Sequence, residues 1–140
     1  MPPIWLYKCS KCGFHISIGW GGTMYVEDDN GNRIECMHPG EMSTVVKVLG
    51  KNLSMELIRK RTGFNSDCIC LDCLNFFKAD FGDEIANPWR FYYGATNKKD
   101  KRECPGCKSQ NVKTVFEMIG QICPKCKDGV IKIFETGLIT

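Results

Sequence analysis

The stretch CPGCKSQNVKTVFEMIGQICPKC, residues 104–126, holds two Cys-x-x-Cys pairs with fifteen residues between them. Paired cysteines at a separation of about 15–20 residues are typical of a four-cysteine zinc site. The reason is geometric, because a tetrahedral ion needs four thiolates about 2.3 Å away and two tight turns on a hairpin can supply them. We therefore predict one zinc ion bound by Cys104, Cys107, Cys123 and Cys126.

Two further pairs, Cys9/Cys12 and Cys70/Cys73, precede this stretch in the sequence. The first pair needs two more ligands, and we expect Cys70 and Cys73 to provide them. Residues 13–69 then form a long insert, which is tolerable because loop-closure entropy grows only with the logarithm of length. The alternative is closure by Cys36 and His38 in ECMHPGE, which lie two residues apart and would face one way on a strand.

Under the favoured pairing, Cys36, His38 and Cys68 are left over, and with His15 they could form a third metal site. An open zinc site there, with Glu35 or Glu41 as a base, would make the protein an enzyme. Alternatively, Cys68, in SDCICLDCLNF at 66–76, is not a ligand but a buried strand residue beside the first site. We adopt that interpretation, because a free cysteine commonly behaves as a small buried hydrophobe.

Residues 104–135 resemble a zinc ribbon of the rubredoxin-like family, and the start YKCSKCGF resembles the first cysteine turn of another ribbon. The resemblance implies two ribbon modules in tandem, structural metal, and a surface that contacts nucleic acid or protein. Rubredoxins instead hold iron and transfer electrons, and their second turn typically reads Cys-Pro-x-Cys-Gly. Lys108 and Lys127 stand in that glycine position here, so we expect zinc rather than iron.

The predicted fold is small, β-rich and metal-stabilised, with two zinc-ribbon-like modules and one short helix in an insert. The modules are 1–82 and 104–140, joined by an aromatic and basic linker at 83–103. Alternation in FHISIGW predicts a strand, Asn30-Gly31 predicts a hairpin turn, and NVKTVFEMI and GVIKIFE predict further strands. The helix is predicted at Leu53–Thr62, capped by Ser54 or Asn52.

The chain has 140 residues and ten cysteines, and we see neither a secretory signal at its start nor a membrane-spanning apolar run. These features predict a cytoplasmic protein, in which clustered cysteines more often hold metal than disulfides. We expect two zinc ions, with a third conceivable, and no catalytic residues. Each half is too small for a self-sufficient core, so zinc must contribute much of the folding free energy.

The linker carries WRFYYG followed by NKKDKRE. Aromatic rings can stack on nucleobases while cations follow the phosphates, so this segment is a candidate nucleic-acid contact. Its contact residues would be Trp89, Arg90, Tyr92, Lys98, Lys99, Lys101 and Arg102. The alternative is a run of aromatics docked on the core and followed by a charged linker, which a net charge of only +3 favours.

The predicted function is a zinc-binding, non-enzymatic contact or adaptor protein for nucleic acid or a protein assembly. The competing class is a metal-dependent enzyme built on Cys36, His38 and Cys68, or a redox protein with iron in the four-cysteine sites.

Overall fold

The computed structural model describes residues 3–82 and 99–139, with eight strands and three helices in those ranges. The chain divides into two compact units that are each discontinuous in sequence. The cysteine unit comprises Met1–Gly22, Ser66–Ala79 and Lys101–Thr140, and the insert unit comprises Thr23–Asn65 and Asp80–Asp100. This division differs from the sequential modules at 1–82 and 104–140 that the sequence suggested.

The cysteine unit contains a three-stranded antiparallel sheet that joins the two ends of the chain. Strand β1 (Pro3–Cys9) lies between β2 (His15–Gly19) and the last strand, β8 (Ile131–Ile139). The predicted strand at FHISIGW and the last predicted strand are both confirmed. Nothing local in the sequence indicates that β1 pairs with a strand about 120 residues away.

The same arrangement occurs a second time, built on the part of β5 that belongs to the cysteine unit. Strand β5 (Thr62–Cys70) pairs with β6 (Phe76–Ala79) on one side and with the short β7 (Val112–Thr114) on the other, all antiparallel. In both places two strands joined by a cysteine turn form a hairpin. A strand from a distant part of the sequence then pairs with the first strand of that hairpin. The buried residues that form the core of this unit include Tyr7, Ile16, Ile69, Val115, Met118 and Ile131.

The insert unit begins with the predicted hairpin, formed by β3 (Gly22–Glu27) and β4 (Arg33–Glu35). The Asp28 carboxylate accepts hydrogen bonds from two backbone N–H groups of the turn, and Gly31 supplies the positive φ of 82°. The hairpin prediction is therefore confirmed. Asn-Gly favours the turn because it tolerates this backbone conformation at little cost in free energy.

Two helices follow the hairpin in the insert unit. Helix α1 spans Glu41–Leu49 and packs Val45 into a small core with Met24, Val26 and Cys36. Helix α2 spans Met55–Arg61, and the Ser54 side chain accepts a hydrogen bond from the backbone N–H of the third residue after it. The predicted helix is therefore confirmed, with Ser54 rather than Asn52 as its cap.

The prediction of a single helix is wrong. Besides α1, helix α3 (Val115–Met118) interrupts the segment that was predicted to be one continuous strand. The Thr114 hydroxyl accepts a hydrogen bond from the Glu117 N–H while the Glu117 carboxylate accepts one from the Thr114 N–H. This reciprocal pair is a capping box, and its sequence TVFE was visible as a helix start. None of the helices in the described ranges is long and apolar enough to cross a bilayer.

Asp80, which precedes the expected linker at 83–103, contacts Asp100 within that segment, and both belong to the insert unit. The Asp100 N–H donates to the Asp80 carbonyl at 2.8 Å, and the Asp80 N–H donates to the Asp100 carboxylate at 2.8 Å. The Tyr25 hydroxyl donates to the buried Asp80 carboxylate, and Arg33 pairs with Asp100 at 2.7 Å. Asp80 and Asp100 are therefore neighbours in the structure, and residues 83–98 between them lie outside the described residues.

Candidate metal centres

Eight of the ten cysteines form two compact groups of four. The terminal site contains Cys9, Cys12, Cys123 and Cys126, and the internal site contains Cys70, Cys73, Cys104 and Cys107. Within each site the four sulfur atoms lie within 4.8 Å of one another.

The separations between sulfur atoms match a coordination tetrahedron. Cys9 Sγ lies 3.7 Å from Cys126 Sγ and Cys12 Sγ lies 3.8 Å from Cys123 Sγ, while the internal site has separations of 3.5 and 3.6 Å. Four thiolates placed 2.3 Å from one zinc ion are about 3.8 Å apart along each edge of the tetrahedron. A disulfide would need sulfur atoms about 2.05 Å apart. Both sites therefore have the donor set and the size for one four-coordinate ion.

The predicted pairing of the cysteine turns is wrong. The sequence suggested that the first turn pairs with the second and the third with the fourth, whereas the first pairs with the fourth and the second with the third. The physical reason is the helix at Val115–Met118, which ends the strand after three residues. No hairpin then joins Cys104/Cys107 to Cys123/Cys126. The alternative closure of the first site by Cys36 and His38 does not occur either.

Antiparallel strand pairs bring the correct turns together. Cys9 is the last residue of β1 and lies opposite Ile131, the first residue of β8, so the turns after β1 and before β8 share one end of the sheet. Cys70 is the last residue of β5 and lies opposite Val112, the first residue of β7. Both sites are therefore built by one rule, a turn after one strand facing a turn before its antiparallel partner.

The four cysteine turns share one backbone conformation. The residue after each second cysteine has a positive φ: 74° at Gly13, 61° at Leu74, 66° at Lys108 and 62° at Lys127. Its N–H donates to the carbonyl of the first cysteine of the pair at 2.8–3.3 Å in every turn. Three of these positions carry a side chain, and the left-handed conformation costs such a residue about 1–2 kcal/mol. The lysines that stand in the rubredoxin glycine position therefore adopt the conformation that glycine favours.

Backbone N–H groups around the sites are directed at sulfur. The N–H of Gly106 donates to Cys104 Sγ at 3.3 Å, and that of Gly129 donates to Cys126 Sγ at 3.3 Å. The backbone N–H of Cys107 contributes most to lowering the pKa of Cys104, to about 6, and that of Gly129 does the same for the pKa of Cys126, to about 7. Each site thus contains at least one thiol with a pKa below the ordinary value, and such a thiol can take up a cation first.

Each site also contains an exposed thiol whose pKa is shifted in the opposite direction. Although a hydrogen bond from the Phe14 N–H favours the thiolate, burial and the neighbouring sulfur atoms raise the pKa of Cys12 to about 11. At Cys73 the hydrogen bond from Asn75 is likewise outweighed, and the pKa is raised to about 12. Four thiolates this close repel one another, so a divalent cation is what stabilises the fully ionised set.

Gly129 is the tightest point of the terminal site. A Cβ atom built on Gly129 would lie 2.3 Å from Cys9 Sγ and 2.7 Å from Lys11 Cβ. At Gly106, which lies between the two cysteines of the third turn, a Cβ would make only ordinary contacts, the nearest being to Asn75 Nδ2 at 3.4 Å. Only a residue without a side chain leaves room for the Cys9 thiolate at the terminal site.

The proposed third site does not assemble. Among residues 3–82 and 99–139, the two four-cysteine sites are the groups of metal-ligand side chains, and neither includes Cys36, His38 or Cys68. Cys36 is buried in the core of the insert unit, and His38 Nδ1 lies 3.0 Å from the Glu41 carboxylate.

The extra cysteine before the second turn, Cys68, is a buried residue near the end of β5, and the sequence had predicted a buried strand residue. It lies between Phe77 of β6 and Thr114 of β7, and its thiol donates to the Ser66 carbonyl. Burial raises the pKa of Cys68 to about 12, which suits a packing role rather than a reactive one.

The predicted nucleic-acid segment is only partly described. Trp89, Arg90, Tyr92 and Lys98 lie outside the described residues. The three others each have an acidic partner: Lys99 with Asp80 at 3.6 Å, Lys101 with Glu103 at 3.3 Å, and Arg102 with Glu117 at 2.8 Å. These cations neutralise carboxylates of the protein itself, which makes them poor first choices for phosphate contacts.

A scan against models of protein families finds no match, and neither a search of the curated proteins nor a search of the solved structures finds one. The observation that indicates that the protein could bind metal is the geometry of the two sites.

Proposed function

We propose that both sites hold zinc as a structural ion and that the protein is a non-enzymatic contact module for nucleic acid or a protein assembly. The observation that carries the proposal is the closed donor set. Four thiolates of the chain occupy all four corners of each tetrahedron, whereas catalytic zinc sites keep one position for water or substrate.

The zinc-ribbon resemblance supports the same interpretation. Each site joins a hairpin to a distant strand through two cysteine turns, which is the arrangement that a ribbon needs. The terminal site ties residues near 10 to residues near 125, so its ion substitutes for a large hydrophobic core in holding the chain ends together. The protein's surface would then be the functional part, and the metals would keep it in shape.

Metal analysis tests this proposal directly. We expect two zinc ions per chain in protein purified without added metal, and loss of amide chemical-shift dispersion and of thermal stability when a chelator removes them. Iron with visible thiolate-to-iron absorbance would replace the proposal with electron transfer. A protein that keeps its fold and heat tolerance without metal would refute the structural role.

A further inference from the structure

The outward face of the sheet β2-β1-β8 has two adjacent rows of side chains. Tyr7 and Cys9 of β1 are buried in the core, so Leu6 and Lys8, which alternate with them, lie on the opposite face. Leu6 is opposite Ile18 on one side and Phe134 on the other, and this forms an apolar row across all three strands.

The second row is basic. Lys8 lies opposite Lys132 of β8 on one side and opposite His15 of β2 on the other. Like charges directly opposite each other destabilise an antiparallel pair. Neither lysine has an acidic partner within 4.0 Å in residues 3–82 and 99–139. The two facing lysines therefore repel each other, and a bound anion would reduce this electrostatic repulsion.

Aromatic and cationic groups meet on this face. The Lys8 ammonium lies 4.9 Å from the centroid of the Phe134 ring, which places both side chains on the same side of the sheet. A phosphate drawn to Lys8 is consequently held next to the ring and the apolar row. Stacking on a ring beside a cation is the chemistry by which sheets bind single-stranded nucleic acid without sequence preference.

Basic side chains outnumber acidic ones in the same unit. The cysteine unit carries ten Lys or Arg against six Asp or Glu, a balance of +4 before the thiolates and the metal ions are counted, whereas the insert unit carries nine against ten. The whole-chain charge of +3 hides this separation. Each loaded site, with four thiolates and one Zn²⁺, adds a charge of −2, so two loaded sites cancel this balance. The attraction for a polyanion is therefore local, at the row that contains Lys8 and Lys132.

From these observations we infer that the face formed by Leu6, Lys8, Ile18, Lys132 and Phe134 binds single-stranded nucleic acid, with phosphates at the two lysines and bases against Phe134 and the apolar row. The inference rests on the proposed function, since the sheet is held by the terminal metal site. A duplex is disfavoured because its bases are stacked on one another and cannot reach the ring.

The test uses the full-length, zinc-loaded protein and fluorescence anisotropy with a labelled oligothymidylate and a duplex of the same length. The variant Lys8→Gln/Lys132→Gln is compared with Lys47→Gln/Lys113→Gln, which removes the same charge from exposed lysines of α1 and β7. We expect the first variant to bind roughly tenfold more weakly or worse, with the salt slope reduced by about 1.4 for two phosphate contacts. The control variant should change the affinity about twofold or less, because its lysines touch no phosphate.

A third variant, Phe134→Leu, keeps the apolar row and removes the ring. We expect single-strand affinity to fall at least about fivefold, the lower end for the loss of one base stack. Removal of the opposed lysines should also leave the melting temperature unchanged or raise it, which no variant that damages the fold would do. Zinc is measured on every sample.

The outcomes separate the two proposals. Wild-type protein with two zinc ions that binds neither oligonucleotide overturns the inference and leaves the proposed function standing. Equal losses in the two double-lysine variants, or duplex binding as tight as single-strand binding, also overturn it. A folded protein without metal refutes the proposed function instead.

Discussion

The substitution Gly129→Ala should empty the terminal site while leaving the internal site loaded. The new Cβ would lie 2.3 Å from Cys9 Sγ, more than 1 Å inside the ordinary contact range that begins at 3.4 Å. Cys9 cannot retreat by that much and remain a ligand, because metal–ligand distances in working sites hold to within about 0.2 Å. We therefore expect zinc content to fall from two ions per chain to one.

The loss should also lower stability. Overpacking a tight site costs about 1–3 kcal/mol even before the metal is lost, and each kcal/mol lowers the melting temperature of a chain this long by ~2–4 °C. The assay is elemental analysis after dialysis against a weak chelator, paired with calorimetry. Gly106→Ala is the matched control, since its Cβ meets nothing closer than 3.4 Å and neither glycine has a positive φ. Two zinc ions retained in Gly129→Ala, or an equal loss in Gly106→Ala, would refute the geometry of the terminal site.

Three further changes test other parts of the structure. Lys108→Gly should raise the free energy of unfolding by up to ~1 kcal/mol, because it relieves the left-handed backbone strain at φ 66°. Gly13→Ala, at φ 74°, should lower the free energy of unfolding by a similar amount. Denaturant titration that does not show these opposite effects would contradict the shared turn conformation. Cys68→Ala should keep both zinc ions and cost about 1 kcal/mol of packing, and loss of one zinc equivalent would make Cys68 a ligand after all. Burial opposes ionisation of Glu117, but hydrogen bonds from a backbone N–H and a guanidinium leave its pKa below the ordinary value. The stabilisation of the fold by this carboxylate is therefore present above the unfolded-state pKa and is lost as pH falls through the folded-state pKa. Glu117→Gln should accordingly cost at most ~1 kcal/mol at pH 7 and nothing in strong acid, and a cost that stays constant with pH would show that the carboxylate charge is not responsible.

The eight clustered cysteines were readable from sequence because each Cys-x-x-Cys turn is a local structure. The hairpin at Asn30-Gly31 and the helix after Ser54 were readable for the same reason, since turn and cap chemistry lies within a few residues. These predictions needed no knowledge of the rest of the chain.

The pairing of the cysteine turns depends on contacts between distant parts of the chain, and the pairing predicted from the sequence was wrong. A spacing of fifteen residues fits a four-cysteine site, yet the segment between Cys107 and Cys123 contains the helix start at Thr114 and cannot form the required hairpin. The capping pattern TVFE was the available signal against it. The pairing of β1 with β8 left no comparable signal, because alternation predicts a strand but not which distant strand it joins.

Metal content of paired cysteine variants tests the central claim most directly, because it depends only on which cysteines share an ion. Cys9→Ala/Cys123→Ala removes two ligands of the terminal site, so we predict one zinc ion per chain. Cys9→Ala/Cys70→Ala removes one ligand from each site and should leave none. The reverse result, no zinc in the first variant and one ion in the second, would contradict the nested pairing of the turns on which the fold and both proposals depend.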